Sequence, residues 1–315
     1  MYLLLAAVLS FVVCVIAGPL LIPVLHKLKF GQEIREIGPS WHKKKSGTPT
    51  MGGLIFIAGA IIATLVFARN TKGLMLLLLA LAFGIIGFVD DFIKVILKRN
   101  LGLTDKQKFL FQLFVSILFL LIARKCNWLD ESIMIPFMEK PLDLKWIYYP
   151  FAVFVLIGGT NAVNLTDGLD GLASSVTVVV GVVFTIAALA VRDITTATFA
   201  AIITGGCLGF LIFNAHPAKV FMGDTGSLFL GGAVCGIALV LEQPLALILI
   251  GGVYVLETLS VIIQVTSFKL TKKRVFKMSP IHHHFEMCGW SERRIVICAV
   301  LLSVVLGVIG LLSII

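Results

Sequence analysis

Asp90 and Asp91 stand side by side at the end of an apolar run, Ile85-Ile86-Gly87-Phe88-Val89. Two adjacent carboxylates at a membrane boundary repel each other and are poorly hydrated. Such a pair suits a base or a metal ligand. The plainer reading is an interfacial pair solvated by headgroups and Lys94. Neighbouring helical residues point about 100° apart, so the two need not share a role.

Four more acceptors recur at every third position: Asn161, Asn164, Asp167 and Asp170. Gly168 and Gly171 interrupt them and predict an Asx-rich loop rather than a continuous helix. Asp170 could cap a helix starting near Ala173, which accounts for one acceptor of the four. No Lys or Arg lies among them. The stretch therefore suits a hard cation, or ligand hydroxyl and imide groups.

Asn214-Ala-His-Pro-Ala-Lys-Val-Phe-Met-Gly-Asp-Thr-Gly-Ser227 places Asp224 between small residues just before another apolar run. Glycines let backbone N–H groups approach an anion, and a helix N-terminus favours phosphate. Phe221 offers a face on which a base can stack. An ordinary capping aspartate is the plainer reading. Further on, His282, His283 and His284 lie within Pro280-Ile-His-His-His-Phe-Glu286. Three consecutive histidines do not share a helical face, which weakens a histidine-only metal site. Imidazoles there could bind phosphate or assist proton transfer. Trp41-His-Lys-Lys-Lys-Ser-Gly-Thr-Pro-Thr-Met-Gly-Gly53 leads into a span; its lysines read first as topology signals, and its Gly and Thr as donors for phosphate or uridine. Glu257 lies inside an apolar run, so it should face the bundle, with bonding or function equally open.

The elements that carry these groups follow from composition. The chain has 315 residues, 59% hydrophobic and 14% charged, with a mean hydropathy of +1.05. A soluble domain carries roughly 25% charged residues, and disorder needs the opposite composition. The expectation is an all-α polytopic membrane protein, one transmembrane catalytic domain over 1–315. Ten spans are predicted, at 3–25, 51–68, 74–93, 108–123, 146–160, 173–191, 195–213, 226–241, 244–266 and 294–314. The first is read as a retained span, since no basic region or cleavage site accompanies it. Pro136 and Pro141 with Ile133, Ile135 and Phe137 predict a small outer hairpin near 130–145.

Nineteen of the 26 Lys and Arg fall in one set of loops, which makes that set cytoplasmic and puts both termini outside. The net charge of +9 then reads as topology rather than nucleic-acid binding. Six scattered cysteines without a CxxC pair form neither a disulfide framework nor a zinc site. Orientation rests on Lys and Arg alone, yet the Asp, Asn and His groups fall on the same face. One-sided polar groups argue against a transporter, which binds near the midplane, and a scaffold gives no reason for them.

Taken in order, the five blocks closely resemble the phospho-N-acetylmuramoyl-pentapeptide transferase family of bacterial peptidoglycan synthesis. That family lies within the polyprenyl-phosphate N-acetylhexosamine-1-phosphate transferase superfamily. The resemblance covers essentially the whole chain. The aspartate blocks alone would indicate the superfamily, and Pro-Ile-His-His-His-Phe-Glu the muramoyl-pentapeptide branch; a sister enzyme using UDP-N-acetylglucosamine is the alternative. The resemblance implies that undecaprenyl phosphate attacks UDP-MurNAc-pentapeptide at the cytoplasmic face of the bacterial plasma membrane, giving lipid I and UMP. It also implies Mg2+ and a homodimer. It assigns Asp224 and Asp91 to the metal, and Asp90 to the lipid phosphate. Asp167, Asp170 and Phe221 go to the nucleotide, with Asp170 at the uracil end. Lys43, Thr48, Asn164 and Asn214 complete the pocket. His282 would steady the phosphates, and His283 and His284 meet substrate or inhibitor groups. Direct attack is preferred over a path through an aspartyl-phosphate; both remain open.

Overall fold

In the computed structural model, residues 1–27, 47–97, 102–138 and 140–315 are described. Lys43 lies outside them. The described residues are almost entirely helical. They form α1 (Tyr2–Lys27), α2 (Gly53–Phe67), α3 (Thr71–Ile96), α4 (Asp105–Lys125), α5 (Tyr148–Thr166), α6 (Leu172–Ala190), α7 (Ile194–Asn214), α8 (Gly223–Val240), α9 (Ala246–Ile250), α10 (Gly252–Thr271), α11 (Ile281–Met287) and α12 (Glu292–Leu312). Nine of these are long and apolar enough to cross a membrane, and α2 is a shorter apolar helix of 15 residues. The chain is a multi-pass membrane protein, and nine spans plus α2 match the ten expected.

The helix ends follow local chemistry. Asn70 caps α3 by accepting from the Gly73 N–H at 2.9 Å. Thr104 and Gln107 form a reciprocal capping box on α4. Asp193 caps α7 through the Thr196 N–H at 3.0 Å. The expected hairpin is present as β1 (Ser132–Ile133) paired antiparallel with β2 (Leu142–Asp143), and the Tyr149 hydroxyl donates to Glu131 beside it.

Two expectations need correction. The ninth span is broken at Gly251 into α9 and α10, and it runs on to Thr271. Asn161 and Asn164 belong to α5, not to a loop; the helix ends at Thr166, and only 167–171 is non-helical. The glycines act where they stand, and the preceding asparagines are free to stay helical.

The bundle is built around α7 and α8, of which 83% and 89% is buried, against 22% for α1, α10 and α12. The outer helices present Leu4, Phe114, Phe154 and Leu301 outward, as suits a lipid solvent. One end gathers both termini. There the Tyr2 hydroxyl donates to the Phe67 carbonyl, Lys72 pairs with Asp193 at 2.9 Å, and the Phe137 N–H donates to the Ser313 carbonyl. The opposite end gathers the ends of α3, α5, α7 and α10 with the start of α8.

Small residues let α3, α2 and α8 approach closely. A Cβ at Gly87 would run into the Asp224 backbone carbonyl, and one at Gly53 into the Gly226 backbone. Gly87→Ala should therefore force α3 and α8 apart and cost about 1–3 kcal/mol. Gly158→Ala, which meets nothing within 4 Å, should leave the midpoint unchanged or raised. Thermal unfolding of the two variants in detergent checks this; equal midpoints would remove the close approach as a constraint.

Candidate active site

α3 and α8 bring three carboxylates together across 134 positions of chain. Ligand atoms from Asp90, Asp91 and Asp224 all lie within 4.8 Å of one another. Asp90 and Asp91 are buried. Asp91 Oδ2 accepts from both the backbone N–H (2.9 Å) and the hydroxyl (2.8 Å) of Thr225. Asp90 Oδ1 accepts from the Leu103 N–H at 2.8 Å. Gly223, with φ of +72°, turns the chain into α8 and leaves room for Asp91; a Cβ there would meet Asp91 Oδ2.

The charges are partly balanced by two lysines. Lys94 Nζ reaches Asp224 Oδ2 at 3.0 Å and Asp91 Oδ1 at 3.8 Å, and pairs with Asp90. Lys108 Nζ reaches Asp224 Oδ2 at 2.7 Å and Asp90 Oδ2 at 3.9 Å. Asn164 Nδ2 donates to Asp224 Oδ1 and to Ser227 Oγ, both at 2.8 Å. Lys108, Thr225 and Ser227 were not singled out by sequence. Lys94, four residues after Asp90, carried the available signal, since i,i+4 positions face each other.

Asp167 follows α5 directly. Burial pushes its carboxyl well above the ordinary carboxylate range, and the charges of Asp224, Asp91 and Asp170 add to the effect. Asp170 does not cap α6: Gly171 is the N-cap residue, with φ of +76° and no side-chain bond. Instead Asp170 Oδ2 accepts from the Ala218 N–H at 3.0 Å and meets His216 Nδ1 at 3.1 Å. His216 also approaches Glu292 at 3.6 Å. Beside it lies a cavity of about 400 Å³ lined by His216, Glu286, Trp290 and Glu292.

The 215–222 loop is braced from the end of α7. Asn214 is buried; it accepts from the Ser174 hydroxyl at 3.1 Å and donates to the Val220 carbonyl at 3.0 Å. Its amide thus holds the loop rather than joining the carboxylates. The Phe221 N–H donates to the Pro49 carbonyl, and the Phe221 carbonyl accepts from Gly52, so half-buried Thr48 and Phe221 sit on paired segments.

The three histidines diverge on α11. His282 bonds Glu257, and His283 bonds Glu286 at 2.6 Å. His284 turns away, accepting from the Lys277 N–H at 3.1 Å and packing on Phe276. The structure thus joins Asp90, Asp91, Asp224 and Asn164 by direct contact. Asp167 is coupled to them electrostatically, and Asp170 faces the neighbouring cavity wall.

The fold and site together define a multi-pass helical membrane protein with a carboxylate cluster at one end, counterbalanced by lysines. Residues 73–242 match the family described as glycosyl transferase family 4. Residues 45–57 match the phospho-N-acetylmuramoyl-pentapeptide-transferase signature 1. The chain is 53% identical to the phospho-N-acetylmuramoyl-pentapeptide-transferase of Bacillus cytotoxicus and 52% identical to those of Bacillus mycoides and Bacillus thuringiensis, in each case over 98% of this chain and 97% of the relative. The chain belongs to the phospho-N-acetylmuramoyl-pentapeptide-transferase family, and is a transferase.

The raised Asp167 carboxyl carries a pH prediction. The unfolded chain ionises this group near about pH 4, while the folded chain keeps its proton to higher pH. Its contribution to stability is present below that pH and is lost as pH rises toward the folded value. With EDTA present, Asp167→Asn should match wild type near about pH 4 and unfold at a higher temperature at about pH 7. Equal midpoints at both pH values would show that the carboxylate is not strained.

Proposed function

We propose that this chain transfers phospho-N-acetylmuramoyl-pentapeptide from UDP-MurNAc-pentapeptide to undecaprenyl phosphate. UMP leaves, and lipid I stays in the membrane as the first membrane product of peptidoglycan synthesis. The observation that carries the reading is the meeting of Asp90, Asp91 and Asp224 at one end of a chain that aligns with its relatives along its whole length.

The single domain works in the bacterial plasma membrane with this end toward the cytoplasm and both termini outside, because most Lys and Arg lie in the loops of this end. A homodimer is the expected assembly.

Phosphoryl transfer depends on positioning and charge neutralisation more than on covalent chemistry. Asp91 and Asp224, with Asp90 beside them, offer the hard oxygen donors that Mg2+ takes. When bound there, Mg2+ supplies positive charge that lets two phosphorylated substrates approach. Asp90 orients the lipid phosphate. Lys94 and Lys108, now on Asp224, are close enough to turn to phosphate oxygens. Asn164 fixes the Asp224 carboxylate. Asp167 and Asp170 hold the nucleotide, Phe221 stacks on uracil, and Thr48 completes the pocket, with Lys43 assigned to the substrate by its motif alone. Asn214 contributes by holding the Val220 backbone. His282 steadies the phosphates, and His283 stands next to it. The lipid phosphate oxygen forms the new P–O bond in line as the UMP oxygen departs, in one step.

Three outcomes test the assignment with purified enzyme, undecaprenyl phosphate and Mg2+. UDP-MurNAc-pentapeptide should release UMP and UDP-N-acetylglucosamine should not. Asp224→Asn should abolish release by at least about a hundredfold while the protein still inserts; wild-type turnover would remove the metal role. Asp90→Asn should lower kcat more than nucleotide affinity. A loss confined to affinity would remove Asp90 from the lipid phosphate.

A further inference from the structure

Glu257 lies within the span α10 and is 4% exposed. A carboxylate at that depth is costly unless it has a defined partner. Its partner is His282 on α11, itself 1% exposed. Glu257 Oε2 stands 2.9 Å from His282 Nδ1 and 3.4 Å from the His282 backbone N–H. Ser260 donates its hydroxyl to the Glu257 carbonyl at 2.6 Å, which fixes this turn of α10.

An ionised carboxylate only accepts, so this contact puts a hydrogen on Nδ1. The other ring nitrogen is then the informative atom. Nε2 is buried and has no hydrogen-bond partner among the described residues. It is turned toward Gly168, where an added Cβ would collide with it. Gly168 lies between Asp167 and Asp170, in the short loop assigned above to the nucleotide. A buried nitrogen without a partner costs free energy. That cost is removed when a ligand atom arrives. A carboxylate holding one imidazole nitrogen so that the other is aimed at a reacting group is a recurrent way to fix ring orientation.

We propose that Glu257 is a positioning residue for the transfer reaction: it locks His282 so that Nε2 meets a phosphate oxygen of the nucleotide sugar. The assignment rests on the function proposed above. A phosphate oxygen accepts, so Nε2 must donate there while Nδ1 donates to Glu257. The ring then carries both hydrogens, and the Glu257 carboxylate balances its charge. His283 adjoins the ring at a centroid distance of 4.2 Å but is engaged by Glu286, which leaves His282 as the ring aimed at the loop.

The test uses the full-length enzyme in lipid nanodiscs, with Glu257→Gln, His282→Asn and the double variant. UMP release is measured against UDP-MurNAc-pentapeptide and undecaprenyl phosphate concentrations. Glu257→Gln should lower kcat/KM by about tenfold or more, mainly through kcat, with an unchanged thermal midpoint. In the His282→Asn background it should cost nothing further. Losses that multiply in the double variant, or a loss that follows a fallen midpoint, would overturn the proposal. A second measurement needs no Glu257 variant: nitrogen NMR of 15N-histidine-labelled wild type, with His282→Asn used for assignment. Nδ1 should carry hydrogen before substrate is added, and the Nε2 resonance should move when UDP-MurNAc-pentapeptide binds. A bare Nδ1, or an unmoved Nε2 under saturating nucleotide sugar, refutes it. Absence of UMP release from wild type would instead sink the function, while the Nδ1 result still decides the pair.

Discussion

Mutual repulsion among carboxylates at a membrane boundary is the constraint on which the site depends. At an effective dielectric of about 20, two unit charges about 4 Å apart interact by about 4 kcal/mol. Asp90, Asp91 and Asp224 lie within such distances of one another, and the charges of Asp224 and Asp91 reach as far as the Asp167 carboxyl. No such group is stable without counter-charge. Lys94 and Lys108 supply it, and Thr225, Leu103 and Asn164 donate to further carboxylate oxygens. Repulsion of this kind favours added positive charge. That property is what an enzyme joining two anionic substrates requires.

The scaffold resists the repulsion by geometry. Gly87, Gly53, Gly223 and Gly226 bring the backbones of α2, α3 and α8 to distances that larger residues forbid. The most buried helices, α7 and α8, therefore carry the loop and helix start that hold Asp224. Around this fixed centre the remaining groups arrive on short, braced segments. The 167–171 turn, the 215–222 loop and α11 each bond a neighbour. Glu257 extends this bracing from the membrane interior to the site through His282.

Much of this was legible in the sequence. The apolar runs located the helices, though the ninth is broken at Gly251 and the fifth runs on to Thr166, because a bilayer demands a length that chance rarely gives. The hairpin followed from its turn residues. Asn161 and Asn164 were misplaced in a loop, because glycine spacing marks where a helix can end but not how far it continues beforehand. Asp170 offered a capping position in the sequence, but its carboxylate found the 216–218 backbone and ring instead. Lys94 was legible as a partner of the Asp90–Asp91 pair, whereas Lys108 counted only toward the loop charge, since a lysine near a span end looks the same whether it faces headgroups or carboxylates.

The sequence by itself determined that the chain crosses a membrane many times, which face its Lys and Arg bias predicts for the acidic groups, and which family the ordered motifs resemble. These properties are written in local hydropathy, in charge asymmetry and in motif spacing. Only the tertiary structure decided which groups touch. Asp91 meets Thr225, Lys108 meets Asp224 and His282 meets Glu257 across gaps of 25 to 134 residues. Such pairings arise from helix packing, where the approach of two backbones depends on every side chain between them. A pattern read along one segment carries no record of that approach.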